Sequence, residues 1–386
     1  MAETIGDPGG AVAESLPGAV EWDELADRAQ APPFLRPGWI AAWLRAFGGG
    51  ELRTIEVRRG GELAAILPMV TRGGRLCAPV NWHTPMFGPL GIDREARVEV
   101  VARAFDQPSP VVDLNLVDGD DGELESIARV AREAGRSTLS RPVAHSPYIR
   151  LESDFAEYER SLSRNRRKAL RRHRRKLEEE GAVRFEVHDG RTGLDDLIAE
   201  VFTVEAAGWK GRKGTAMSSK PETARFYTDV ARWAADRGWL QIALLRLDGR
   251  PIACDFALQQ DGAWYTLKAG YDEEFRSFGP GALLLADEIA HCCELPDLSR
   301  IELLGHEDSF KASWTTLSSP RTRIRSFSKS PVGLCRWAGA ACWERARPYL
   351  RRLRGRRGAR GFVLGPGAPF ALEDWVGLVG FIQLPI

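Results

Sequence analysis

Two Asp-Gly pairs, Asp248-Gly249 and Asp261-Gly262, constrain this chain more than any other feature. Each sits between runs that read as strands, over residues 239–247, 252–258 and 264–269. Asp-Gly is favoured in two-residue hairpin turns because both central positions need positive φ. An antiparallel three-strand meander is therefore expected. It delivers the chain to Arg276-Ser277-Phe278-Gly279-Pro280-Gly281 and then to the apolar run Ala282-Leu283-Leu284-Leu285-Ala286, expected to open a helix reaching about Glu294. The two glycines admit a tight turn and a close backbone approach to a ligand. A helix N-terminus leaves N–H groups unpaired and carries partial positive charge, so the turn can hold a phosphate, with Arg276 as a further donor. The same residues also read as an ordinary β-to-α loop punctuated by Gly and Pro.

Upstream, residues 22–29 and 37–47 read as helices, and Arg59-Gly60-Gly61-Glu62 as the turn of a hairpin between strands 52–57 and 63–70. Strands are expected at 76–82, 111–117 and 137–151, with a helix over 121–134 closed by Gly135. The tryptophans of this half are expected to be packed. Residues 155–180 give the longest helical pattern, and nine of the thirteen residues from Arg164 to Lys176 are Lys or Arg. Glu178, Glu179 and Glu180 follow; acids at a helix C-terminus oppose the dipole, so pairing with the preceding bases is their expected role. Helices at 194–207 and 221–238 enclose a polar, basic loop beginning at Trp209-Lys210. Strands are expected at 300–304 and 321–327, with a short helical piece at 310–314.

Two α/β (α+β) domains are expected, each a mixed, largely antiparallel sheet flanked by helices, over residues 20–152 and 153–330. Residues 1–19 are expected to be disordered. Residues 331–386, with eight arginines between Arg345 and Arg360, are expected as a basic helix and a loosely held tail. A chain of 386 residues with 44% hydrophobic content can build two such cores. Net charge is +1, so partners are to be sought in the distribution of charge rather than its sum. The six cysteines contain no Cys-x-x-Cys pair, which argues against zinc or a disulfide framework. The first ten residues have no apolar core, and no run is long and apolar enough to span a membrane, so a cytoplasmic placement is expected.

The meander feeding an Arg-x-x-Gly-x-Gly loop and an apolar helix resembles motif A of the GNAT acyltransferases. Ser161-Leu162-Ser163-Arg164, Glu205-Ala206-Ala207-Gly208-Trp209-Lys210, Gly270-Tyr271-Asp272, and Gly305 before Phe310-Lys311-x-x-Trp314 are similar to the CelD/BcsL group of that superfamily. That group is related to Fem-type aminoacyltransferases, which carry two tandem GNAT-like domains. The resemblance implies an acyl-CoA, such as acetyl-CoA, as co-substrate, its pyrophosphate held at Arg276, Phe278, Gly279, Gly281 and Ala282. Here Gly270 to Phe275 separates loop from strand, where GNAT loops usually follow directly.

Acyl transfer to an amine needs a held donor, a proton acceptor and stabilisation of oxyanion and thiolate; the amine is itself the nucleophile. Glu205, Asp255, Asp272 and Glu302 are the candidate bases, and Tyr271 a candidate donor to the thiolate. Cys254, inside a strand, reads as core. Lys210 and Lys311 are candidates for holding anionic groups of donor or acceptor, and Trp209, beside Lys210, for binding the acceptor. Arg171 and Arg175, on the basic helix, either bind an acidic glycan, nucleotide sugar or RNA, or form a solvated face. Bases without interleaved aromatics give no sign of sequence-specific nucleic-acid reading.

The expectation is an N-acyltransferase whose acceptor, by resemblance, is a small molecule or a glycan such as a cell-envelope sugar or polysaccharide precursor. A Fem-like aminoacyl-tRNA-dependent transferase and a non-catalytic binder of anionic polymers are the alternatives. The acyl group and the oligomeric state are not legible.

Overall fold

The computed structural model describes residues 16–118, 121–152 and 154–357. Described residues up to Leu334 form one compact unit, and those from Cys335 a second made of the remainder of a helix over Pro331–Arg357.

The first half opens with α1 (Ala19–Arg28) and α2 (Pro37–Phe47). Strands β1 (Glu51–Arg59), β2 (Glu62–Arg72) and β3 (Arg75–Cys77) follow. A loop carrying the short β4 (Leu90–Gly91) leads to α3 (Arg94–Phe105), β5 (Val111–Val117), α4 (Asp121–Glu133) and β6 (Ser137–Arg150). The second half comprises α5 (Phe155–Ser161), α6 (Arg164–Glu180), β7 (Val183–His188), α7 (Leu194–Ala206), α8 (Trp209–Arg212) and α9 (Pro221–Asp236). It continues with β8 (Leu240–Leu247), β9 (Arg250–Gln260), β10 (Ala263–Tyr271), α10 (Pro280–Cys293), β11 (Arg300–Glu302) and β12 (Ser318–Phe327).

All twelve strands belong to one sheet, ordered β1-β2-β3-β5-β12-β6-β11-β10-β9-β8-β7, with β4 beside β2. Among these strands only β3–β5 and β10–β11 pair in parallel; the rest are antiparallel. The chain is thus mixed α/β with a mostly antiparallel sheet flanked by helices. Each half repeats one connectivity. A hairpin and a third strand lead through a helix to a fourth strand parallel to the third, as β1-β2-β3-α3-β5 and again as β8-β9-β10-α10-β11.

Three differences from the sequence expectation stand out. The helix expected over 155–180 is two helices, because Ser163 is an N-cap whose hydroxyl accepts from the Arg166 N–H at 3.2 Å. Helix α3 has no counterpart in the sequence reading; its start is capped by Asp93, which accepts from the Ala96 N–H. The strand expected over 76–82 stops at Cys77, and the chain continues as a loop through Trp82 and His83.

Helices α1 and α2 pack on the second half. Trp22, Trp39 and Trp43 share one buried core with Phe226, Tyr227 and Trp233 of α9. Trp39 meets Phe226 edge to face at 5.1 Å, within the separation range such ring pairs favour. Gly38 makes the approach possible, because a Cβ there would fall 2.1 Å from the Trp233 indole. The tryptophans of the first half are therefore packed, with one exception: Trp82 is 56% exposed. A second core lies under α6 and α10 on the other face, and a third joins α3 and α4 to the first-half strands.

Candidate active site

The site is built where β10 and β11 part. Their parallel pairing covers only residues 263–265 against 300–302. Beyond it β10 carries a bulge between Thr266 and Lys268, while β11 ends and the chain turns at Leu304 and Gly305, both at positive φ. A bulge re-aims side chains and ends pairing, so the two strands open into a wedge.

Beyond β10, the residues expected as a plain spacer coil into a 3₁₀ turn over Glu273–Phe278, capped by Asp272 accepting from the Glu274 N–H. Gly279 sits at φ 61, the left-handed region that glycine alone enters without steric cost, and turns the chain into α10. Its missing Cβ also matters for packing, since one would lie 3.3 Å from the His173 ring of α6. Pro280 brings no N–H, and the N–H groups of Ala282 and Leu283 both donate to the Gly279 carbonyl. The Gly281 N–H makes no hydrogen bond among the described residues. Tyr271 leans on this turn: a Cβ at Gly281 would stand 3.2 Å from its ring, and its hydroxyl has no hydrogen-bond partner among the described residues. Arg276 is exposed and makes no hydrogen bond among them, though its charge acts on Glu273, whereas Phe278 is half-buried near Phe275.

Glu205 ends α7 against the same wedge. It is 1% exposed, and both carboxylate oxygens are engaged: Oε1 accepts from Lys210 Nζ at 2.9 Å and Oε2 from the Met217 N–H at 2.6 Å. Lys210 also donates to the Ala269 carbonyl of β10 at 2.6 Å. The residue expected as a base is thus the counter-ion of the lysine expected to hold anions. Trp209 is 43% exposed, with Lys213 Nζ 5.0 Å from its ring centre. Lys311 donates to the Leu304 and His306 carbonyls, closing the turn after β11. Burial lowers its pKa, and the Lys210 charge adds to that.

Asp255 is fully buried on the α10 face of β9, opposite Glu288 of α10. Burial raises both carboxyls above the usual range; the Asp255 charge pushes Glu288 up further, whereas the interaction with Glu288 draws Asp255 part of the way back. Glu302 is also buried, with its carboxyl raised for the same reason. Asp272 pairs with Arg250 at 2.6 Å. Cys254 is buried, with its thiol 3.7 Å from the Val201 carbonyl and its pKa raised by burial, as befits a core residue. The basic residues of α6 divide. Arg166 stacks on Trp314 at 4.4 Å and Phe310 at 5.4 Å, and Arg174 pairs with Asp287. Arg171 and Arg175 are exposed and pair with Glu159 and Glu179.

The sequence reading passed over Lys268, Trp82 and Glu288. Lys268 lies in β10 with its Nζ 4.1 Å from the Trp82 ring centre and 5.7 Å from that of Tyr227. Burial lowers its pKa to about 7, helped by the Lys210 and Lys311 charges. The available signal was a lysine inside an otherwise apolar strand. Nothing local pointed to Trp82, because Lys268, the cation on its ring, is distant in sequence.

The acetyltransferase (GNAT) domain model matches residues 164–312, the span from α6 to the turn after β11. No curated protein matches the chain. Among solved structures, FemX is 13% identical, with a TM-score of 0.56 over 80% of this chain and 96% of that one. The C-terminal domain of an Agrobacterium fabrum protein described as a lysylphosphatidylglycerol synthetase is 14% identical, with a TM-score of 0.54 over 84% and 96%. A conserved protein of unknown function from Bacteroides thetaiotaomicron is 11% identical, with a TM-score of 0.53 over 80% and 97%. At these identities the likeness is one of fold. The match to the GNAT domain model is thus confined to the second half, and the fold as a whole is similar to that of FemX.

Proposed function

We propose that this chain is an N-acyltransferase moving an acyl group from acyl-CoA, acetyl-CoA in the simplest case, to an amino group on a small-molecule or glycan acceptor. A cell-envelope sugar or polysaccharide precursor is the acceptor class that the CelD/BcsL resemblance suggests. The observation that carries the reading is the β10–β11 wedge beside the Gly279 turn. The wedge exposes β10 backbone to an extended pantetheine arm, and the turn offers the Gly281 N–H, the helix dipole and the exposed Arg276 to a pyrophosphate. On attack the amine nitrogen bonds to the thioester carbon, and collapse of the tetrahedral oxyanion breaks the C–S bond. The amine loses one proton to water and the thiolate gains one from the unpartnered Tyr271 hydroxyl, the proposed donor, which water then reprotonates. Glu205, held on both oxygens, positions Lys210 and the loop at Met217.

Titration with acetyl-CoA tests this directly. Binding is expected, with an affinity about tenfold or more weaker in Gly281→Trp, a loss of at least about 1.4 kcal/mol. Unchanged binding in that variant removes the pyrophosphate from this turn.

One observation favours an aminoacyl-tRNA donor instead. Arg164, Lys168, Arg172 and Lys176 recur every fourth residue along α6, all exposed and none with a carboxylate partner among the described residues. Such a row suits a polyphosphate backbone. Tight binding of aminoacyl-tRNA, with none of acetyl-CoA, would establish that reading.

A further inference from the structure

Lys268 is a cation without a counter-ion. Half-buried between Trp82 and Tyr227, its ammonium makes no ion pair or hydrogen bond among the described residues. Two more lysines border the same wedge, Lys210 on the Ala269 carbonyl of β10 and Lys311 on the turn after β11. The carboxylate close enough to favour the Lys268 charge is Glu205, and both its oxygens are already taken. His83, beside Trp82, adds no charge: burial and Lys268 push its pKa down to about 3, and its ring nitrogen pairs with the Tyr227 hydroxyl at 3.0 Å. Asp308 supports the Lys311 charge, and Glu205 and Asp255 lie near Lys210, so Lys268 is the lysine of the three left with no uncommitted carboxylate; a partly desolvated cation is costly unless paired. Trp82 stands 56% exposed at its rim, contributed by the first half of the chain.

We propose that the acceptor bears an anionic group, phosphate or carboxylate, which seats on Lys268 beneath Trp82 with Lys210 and Lys311 around it and so presents the acceptor amine to the β10–β11 wedge. The role of the anion rests on the acyltransferase reading, whereas its binding does not.

The test is site-resolved lysine labelling of the full chain. Acetic anhydride at limiting dose modifies exposed amines, and peptide mass spectrometry gives the rate at Lys268 with inorganic phosphate, with acetate, and with sodium chloride at matched ionic strength. Labelling of Lys268 is expected to slow several-fold with phosphate or acetate and not with chloride, and to slow equally in Gly281→Trp. Protection by phosphate alone assigns a phosphoryl group to the acceptor, and protection by acetate alone a carboxylate. In Lys268→Met, which keeps the aliphatic length between the rings, the anion should no longer slow labelling of Lys311. An unchanged Lys268 rate in both anions overturns the proposal, as does protection of Lys311 that survives Lys268→Met. Protection without acetyl-CoA binding leaves the anion site standing and removes the acyltransferase reading; acetyl-CoA binding without protection does the reverse.

Discussion

At the residue scale, Glu205 shows how one buried charge sets several positions at once. It fixes Lys210, and through Lys210 the Ala269 carbonyl of β10, while holding the loop at Met217. Glu205→Ala leaves Lys210 without its carboxylate and the Met217 N–H without an acceptor. A loss of about 3–5 kcal/mol is expected from urea unfolding, part of it recovered when Lys210→Met is added. Asp255 and Glu288 behave oppositely. Both are raised above their ordinary values of 3.8 and 4.5, so their contribution is complete below about pH 4 and is lost as pH rises towards their folded values. Stability should therefore fall between pH 4 and about 7, and Asp255→Asn with Glu288→Gln should flatten that fall. An equally steep decline in the double variant would place the titration elsewhere. Asp255 was legible in sequence as a polar residue among apolar ones, and Glu205 as a carboxylate at a helix end beside Trp209-Lys210. Their roles were not, because the Met217 N–H, Glu288 and the Ala269 carbonyl are brought to them by tertiary structure.

At the element scale, the legible parts were those with local chemistry. The Asp-Gly turns, the meander and the helix after Gly279 follow from backbone preference and periodicity. The break at Ser163 was hidden because the basic run continues the helical pattern across it, and only the cap hydroxyl marks the new start. The turn at Gly279 gives an element-level expectation. Gly279→Ala forces a β-carbon into the left-handed region and against His173, so a cost of about 1–2 kcal/mol is expected in the unfolding midpoint. Recovery by His173→Ala would assign the excess over that backbone term to the α6 contact.

At the scale of the whole molecule, two crossings tie the halves together. Helices α1 and α2 complete the core on α9, and β12 lies between β5 and β6. Calorimetry of the full chain should accordingly give one transition for the part up to Leu334, and two well-separated ones would contradict this. Neither crossing was legible, since strand order is set by contacts far apart in sequence and not by local pattern. The repeated connectivity was visible only in its second copy, because β3 is three residues long and α3 has a weak apolar stripe.

The place of β12 also orders events during synthesis. Its residues 318–327 fill the slot between β5 and β6, made some two hundred residues earlier. Translation runs at about 5–20 residues per second, so the first half waits on the order of ten seconds or more with that slot open. During that wait the facing edges of β5 and β6 are unpaired, and any other strand on the ribosome can fill them. The last strand of the sheet is thus the latch on its first half, and a ribosome stalled before residue 318 would release a chain whose earliest strands have no finished sheet to join.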